Sequence, residues 1–188
     1  MSTTVSMQIR NLDFIFENSL VRIVANRNCP EIKLAGLTME SFEEGNEYEV
    51  QYWIARELEK SGIARLREEE LLDSAKLSRI QWQERVQTPG RISELPEKFY
   101  PKFRRYLREL RGEIAKKPEK AREYEKVKQL TQDIINSRLK KIVSLASAPA
   151  QTEHVLKNFT REERFLYKEI YKFISEWRTQ ILNNGEEE

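Results

Sequence analysis

The sequence predicts an α+β protein, with a small β-rich N-terminal domain containing one helix (residues 1–66) followed by a mainly α-helical bundle domain (residues 67–188). Three observations predict it. Up to residue 66, short runs with β-branched residues alternate with turn residues. From residue 73 onward, apolar residues recur at three- and four-residue spacing between capping signals. Charge divides the chain in a similar way: residues 1–88 hold 11 Lys/Arg against 15 Asp/Glu, and residues 89–188 hold 22 against 16.

In the first domain, Ile9, Leu12, Ile15 and Phe16 suit a short helix within Met7–Glu17. Leu20–Ala25 reads as a strand, with Leu20 and Val24 among β-branched neighbours. Asn26–Pro30 is a turn, Ile32–Ala35 a second strand, and Gly36 closes it. After the Glu43–Asn46 turn, Tyr48 and Val50 share one face of a further strand. The period then becomes helical over Tyr52–Ser61, Gly62 stops the helix, and Ile63–Leu66 is a final strand. Tyr52 and Trp53 are expected in the core of this small module.

The second domain reads as four helices, 73–87, 96–117, 120–147 and 160–183, in a bundle of antiparallel neighbours. Asp73 suits an N-cap ahead of Leu77, Ile80 and either Trp82 or Glu84. Thr88–Gly90 interrupts, and Phe99, Phe103, Tyr106, Leu107, Leu110 and Ile114 line the next helix. Thr160 and Glu163 form a capping box before Leu166, Ile170, Phe173, Ile174, Trp177 and Ile181, with Trp177 expected to seal the bundle.

The domain is organised around Tyr124–Ala146. At about 100° per residue, Val127, Leu130, Ile134, Ile135, Leu139, Ile142, Val143, Leu145 and Ala146 cover more than half of that helix. Arg138 projects from the middle of this arc. A guanidinium there must either snorkel to water or meet a carboxylate, on a neighbouring helix or on a neighbouring chain. So wide an apolar arc suggests more oily surface than one chain covers.

Signals for chemistry are sparse. His154 and Cys29 are the single histidine and cysteine, so no His/Cys metal set is available, and His154 is expected on an exposed helix. No phosphate-binding glycine loop or zinc-protease motif occurs, and Glu68–Glu70 is a run of acids rather than an arranged pair. These readings disfavour an enzyme and call for no cofactor or metal. No apolar stretch reaches the roughly 18 residues of a membrane span, and no signal peptide is visible. One cysteine suits a reducing compartment, either cytoplasm or nucleoplasm. The strongest charge feature is Lys98–Lys128, with 12 Lys/Arg against 5 acids. There Arg104, Arg105, Arg108 and Arg111 oppose the apolar face, as a solvated surface or a contact for phosphate or an acidic partner.

Several stretches, in order, resemble the GINS complex of DNA replication, in the subunit type that places the small B domain before the helical A domain. They are Asp13–Val21 (DFIFENSLV), Glu49–Leu58 (EVQYWIAREL), Leu95-Pro96 with Phe99-Tyr100, Asp133–Ile142 (DIINSRLKKI), and Leu156–Thr160 with Glu163. Gln51 stands where many members have proline. Nearly the whole chain is covered, and the short connections resemble an archaeal member.

The resemblance implies a non-catalytic scaffold that forms a heterotetramer with a helical-domain-first sister GINS subunit. It further implies links to the MCM helicase and a RecJ-like protein, possible contact with primase or DNA polymerase, weak or indirect DNA contact, and no membrane. The implied location is the archaeal cytoplasm at the nucleoid, or the nucleus if the source is eukaryotic. Under it, Arg138, Lys141, Ile134, Ile142 and Leu145 become a subunit or domain interface. The rival reading is a stand-alone nucleic-acid-binding helical module using the Arg104–Arg111 basic face.

Overall fold

The computed structural model describes residues 2–34, 36–86, 92–148 and 156–183. The chain forms two compact units, Met1–Leu72 and Asp73–Glu188. Residues 67–72 therefore fall with the first unit. Arg67 ties them there, its backbone N–H donating to the Arg22 carbonyl and its side chain to Glu47 at 3.0 Å.

The first unit runs α1 (Ser2–Glu17), β1 (Leu20–Ala25), β2 (Ile32–Leu34), β3 (Leu37–Met39), β4 (Glu47–Gln51), α2 (Tyr52–Lys60) and β5 (Ala64–Leu66). β1 is the central strand of an antiparallel sheet ordered β4-β1-β5, with Val21 opposite Val50 and Ile23 opposite Leu66. Alternation turns Val21, Ile23 and Ala25 inward and leaves Leu20 57% exposed. β2 and β3 form a separate hairpin, and Gly36, at φ 92°, lies in its turn. The third strand of the chain, Leu37–Met39, has no counterpart among the strands expected from the sequence.

α2 ends as Gly62 predicts. Gly62 lies in the left-handed region, its N–H donates to the Glu59 carbonyl, and that of Ile63 donates to Leu58. This is the Schellman pattern, which occupies the last free carbonyls of the helix. Tyr52, Ile54, Ala55 and Leu58 of α2 face the sheet, and the Phe16 ring of α1 lies 4.3 Å from that of Tyr52. Tyr52 is core, and Trp53 is half-buried against it.

The second unit contains α3 (Ser74–Val86), α4 (Phe99–Ile114), α5 (Lys120–Ala146) and α6 (Arg161–Asn183). Asp73 caps α3, its carboxylate accepting the Lys76 N–H at 2.7 Å. Leu95 precedes α4 rather than entering it, and is buried. The turn between α4 and α5 is short, so those two helices are antiparallel. α3 and α6 instead run in the same direction as α5. Gln81 meets Asp133 and Glu84 meets Lys141, so pairings ascend together; Arg138 meets Glu163 and Ser147 meets Arg178 likewise. For α3 this follows from two antiparallel steps, through α4; for α6 a connection of 14 residues, rather than a tight turn, permits it.

α5 is the middle helix. Val127, Thr131, Ile134, Arg138, Ile142 and Ala146 are buried, and Ile92, Phe159 and Tyr167 pack on its C-terminal half. One flank departs from the enclosed helix predicted: Leu139 and Val143 are 40% and 41% exposed. Trp82 is 63% exposed, and Glu84 takes the inward position on α3. Trp177 does not seal the bundle but is 58% exposed, because no helix among the described residues of this unit covers that face of the C-terminal half of α6. The Thr88–Gly90 break, His154 and Gly185 lie outside the described residues.

Candidate functional site

Arg138 has no exposed surface, and neither does the Glu84 side chain that meets it. A buried guanidinium is tolerated only when its charge is balanced and its donors are satisfied. Both conditions hold. Nε donates to Glu163 Oε1 and Nη2 to Glu163 Oε2 at 2.7 Å, a bidentate fork on one carboxylate. Nη1 donates to Glu84 Oε1 at 2.6 Å and to the Ser93 carbonyl at 2.9 Å. Nη2 also reaches the Asn158 carbonyl at 3.3 Å. The five N–H donors of the group thus have five acceptors.

The partners are held in turn. Lys141 donates to Glu84 Oε2 at 2.6 Å and to the Glu84 carbonyl at 3.0 Å, and the Ser93 hydroxyl donates to Glu84 Oε1. Tyr100 donates to Glu163 Oε1 at 2.8 Å. Glu163 Oε2 accepts the Thr160 N–H at 3.0 Å, and Thr160 Oγ1 accepts the Glu163 N–H, so the predicted capping box forms. Asn158 fastens the segment before α6 by donating to the Ile92 carbonyl at 2.9 Å. Two cations and two carboxylates give a neutral cluster that touches α3, α4, α5 and α6.

Burial pushes the Glu84 carboxyl up, but hydrogen bonds from Lys141 and Ser93 and the charges of Arg138 and Lys141 outweigh it, holding it below the ordinary carboxylate value. Burial and the adjacent Glu163 carboxylate push the Tyr100 hydroxyl well above its ordinary value. Burial and the hydrogen bond to Glu123 do the same to Tyr106.

Of the two partners that the sequence left open for Arg138, the structure supplies neighbouring helices of the same chain. Ile134 and Ile142 are buried beside it, Lys141 is part-buried on Glu84, and Leu145 is part-buried against the Ile92–Phe159–Tyr167 packing. Glu84, Ser93, Tyr100 and Asn158 were not foreseen as partners. For Glu84 a signal existed: Leu77, Ile80 and Glu84 repeat at the spacing of one helix face.

The four arginines of α4 separate. Arg105 is clamped by Glu109 at 2.6 Å, and Arg104 lies 3.7 Å from Glu162. Arg108 and Arg111 are exposed, and no ion pair of theirs is found among the described residues. Also among the described residues, no group of three or more His, Cys, Asp or Glu side chains is placed to hold a metal ion, and no helix is long and apolar enough to cross a membrane.

The PSF2 N-terminal domain matches residues 8–67, and the GINS complex protein helical bundle domain (Sld5) matches residues 71–182. The second match alone spans more than half of the chain. The chain belongs to the GINS family. The order of the two matches makes it a subunit of the PSF2 type. GINS subunits are non-catalytic scaffolds of a DNA-replication complex. A comparison with curated protein sequences finds no match.

Removing Arg138 strands two buried carboxylates. Arg138→Ala is expected to cost about 3–5 kcal/mol of unfolding free energy, whereas Lys172→Ala, which breaks an exposed pair with Glu176, costs less than about 1 kcal/mol. Urea titration followed by circular dichroism measures both.

The pH dependence follows from the two displaced groups. Glu84 is lowered in the folded state, so its contribution is complete above the unfolded value near 4.5 and is lost as pH falls through the lower folded value. Tyr100 is raised, so its contribution is complete below the unfolded value near 10 and is lost as pH rises beyond it. Melting temperature should be level between these limits and fall outside them, and Glu84→Gln should flatten the acid side.

Proposed function

We propose that this chain is a scaffold subunit that pairs through its helical unit with a helical-domain-first GINS subunit to form a heterotetramer. That tetramer links the MCM helicase to a RecJ-like partner and to primase or DNA polymerase, at the nucleoid or in the nucleus. The observation that supports this most directly is the order of the two matched segments, the PSF2 N-terminal domain first and the helical bundle second. A bundle tied together by an internal charge cluster, with large apolar side chains left outside, suits a part that holds its shape while others dock on it.

In this reading Arg138, Lys141, Ile134, Ile142 and Leu145 act between helices and support assembly from within, by keeping the outer faces of α3, α5 and α6 in register. Exposed Arg108 and Arg111 suit a weak contact with DNA phosphate or an acidic partner.

Co-expression with a helical-domain-first GINS subunit, followed by light scattering, tests the reading. A single hetero-oligomer, far above the 22.4 kDa of this chain alone, is expected. Arg138→Ala should weaken it much more than Lys128→Ala. Two separately eluting monomers would refute the scaffold role.

A further inference from the structure

The C-terminal half of α6 carries an oily stripe that no described residue of its own chain covers. α5 ends at Ala146, and at that end Arg178 of α6 donates to the Ser147 carbonyl at 2.8 Å. α6 continues to Asn183. Phe173, Trp177 and Ile181 follow one another at four-residue spacing and are 64%, 58% and 55% exposed. Leu166 continues the line towards the bundle at 36%. At 100° per residue these four positions occupy an arc of roughly 80°, the width of a seam that receives another helix.

The flanks of the seam differ. One faces the bundle, where Tyr167 is buried and Tyr171 and Ile174 are half-buried. The other carries Glu162, Glu169 and Glu176, spaced by seven residues so that they stack beside Leu166 and Phe173. Glu162 lies by Arg104, but Glu169 and Glu176 are exposed, and among the described residues Glu176 meets only exposed Lys172, at 3.8 Å.

This asymmetry selects the occupant. Two copies of a projecting helix end can keep their bundles apart only by pairing antiparallel. In that arrangement each flank faces its own counterpart, so Glu169 and Glu176 would confront the same carboxylates of the second copy. A different helix with Lys or Arg on the facing flank meets the apolar seam and the acidic edge together.

We propose that the Leu166–Ile181 face of α6 is the docking surface for an amphipathic helix of a different chain, apolar on one face and basic along the flank that meets Glu169 and Glu176. The inference rests on the hetero-oligomeric reading above and names the chemistry that the sister subunit must present. Trp177, large and central in the seam, is its anchor.

The test measures the affinity of the full-length chain for a helical-domain-first GINS subunit by sedimentation, at low and high salt, for wild type, Trp177→Ala and Glu169→Lys/Glu176→Lys. These side chains are exposed, so unchanged thermal melts confirm intact variants. Trp177→Ala should weaken binding about 30-fold. The charge reversal should weaken it about tenfold at low salt and much less at 0.5 M salt, roughly, as screening shortens. Wild-type affinity in both variants overturns the docking surface but leaves the functional reading standing. Tighter binding on charge reversal overturns the basic flank. A Trp177-dependent homodimer of the chain alone assigns the seam to a second copy and overturns the proposal. Failure of the wild-type chain to bind the sister at all overturns the functional reading and this inference with it.

Discussion

The helical unit depends on one side chain that should not be comfortable where it is. Arg138 lies at the centre of α5 with no exposed surface, and the bundle surrounds it with acceptors from every other helix or its approach. Desolvating such a charge costs several kcal/mol, which only a complete set of partners offsets. Apolar packing tolerates small slips between helices, but a bidentate guanidinium–carboxylate pair does not. The cluster therefore specifies how α3, α5 and α6 lie along one another, more than it adds net stability.

That division of labour explains the uneven surface. The charge cluster and the Ile92–Phe159–Tyr167 packing gather near the middle and C-terminal half of α5, where α3 and α6 run parallel to it. α4 departs in the opposite direction, so among the described residues the far half of α6 has no cover on its Phe173–Trp177 side. A scaffold needs both features: a core that sets its own geometry, and apolar surface that its own chain does not use.

Much of this was legible in the sequence because the signals were local. Asp73, the Thr160–Glu163 box and Gly62 each act within a few residues, and each sits where its chemistry predicts. The oddity of Arg138 was visible as a charge in an apolar arc. Its partners were not, because Glu84 and Glu163 lie 54 and 25 residues away, and periodicity on one helix says nothing about which helix faces it. Glu163 was already accounted for as a cap, which hid its second role. Trp177 misled for a related reason: helical spacing shows that apolar residues share a face, not that a face of the same chain meets it. The direction of α6 relative to α5 was likewise set by a long connection that leaves no periodic trace.

Hydrogen exchange on the isolated chain tests the central claim most directly. If Arg138 and its carboxylates complete the bundle within one chain, amides of Ile134–Ile142 should exchange only through global unfolding, while those of the last two turns of α6 exchange far faster. Equally fast exchange across α5 and the end of α6 would contradict the account, because the middle helix would then be no better held than the surface it is said to support.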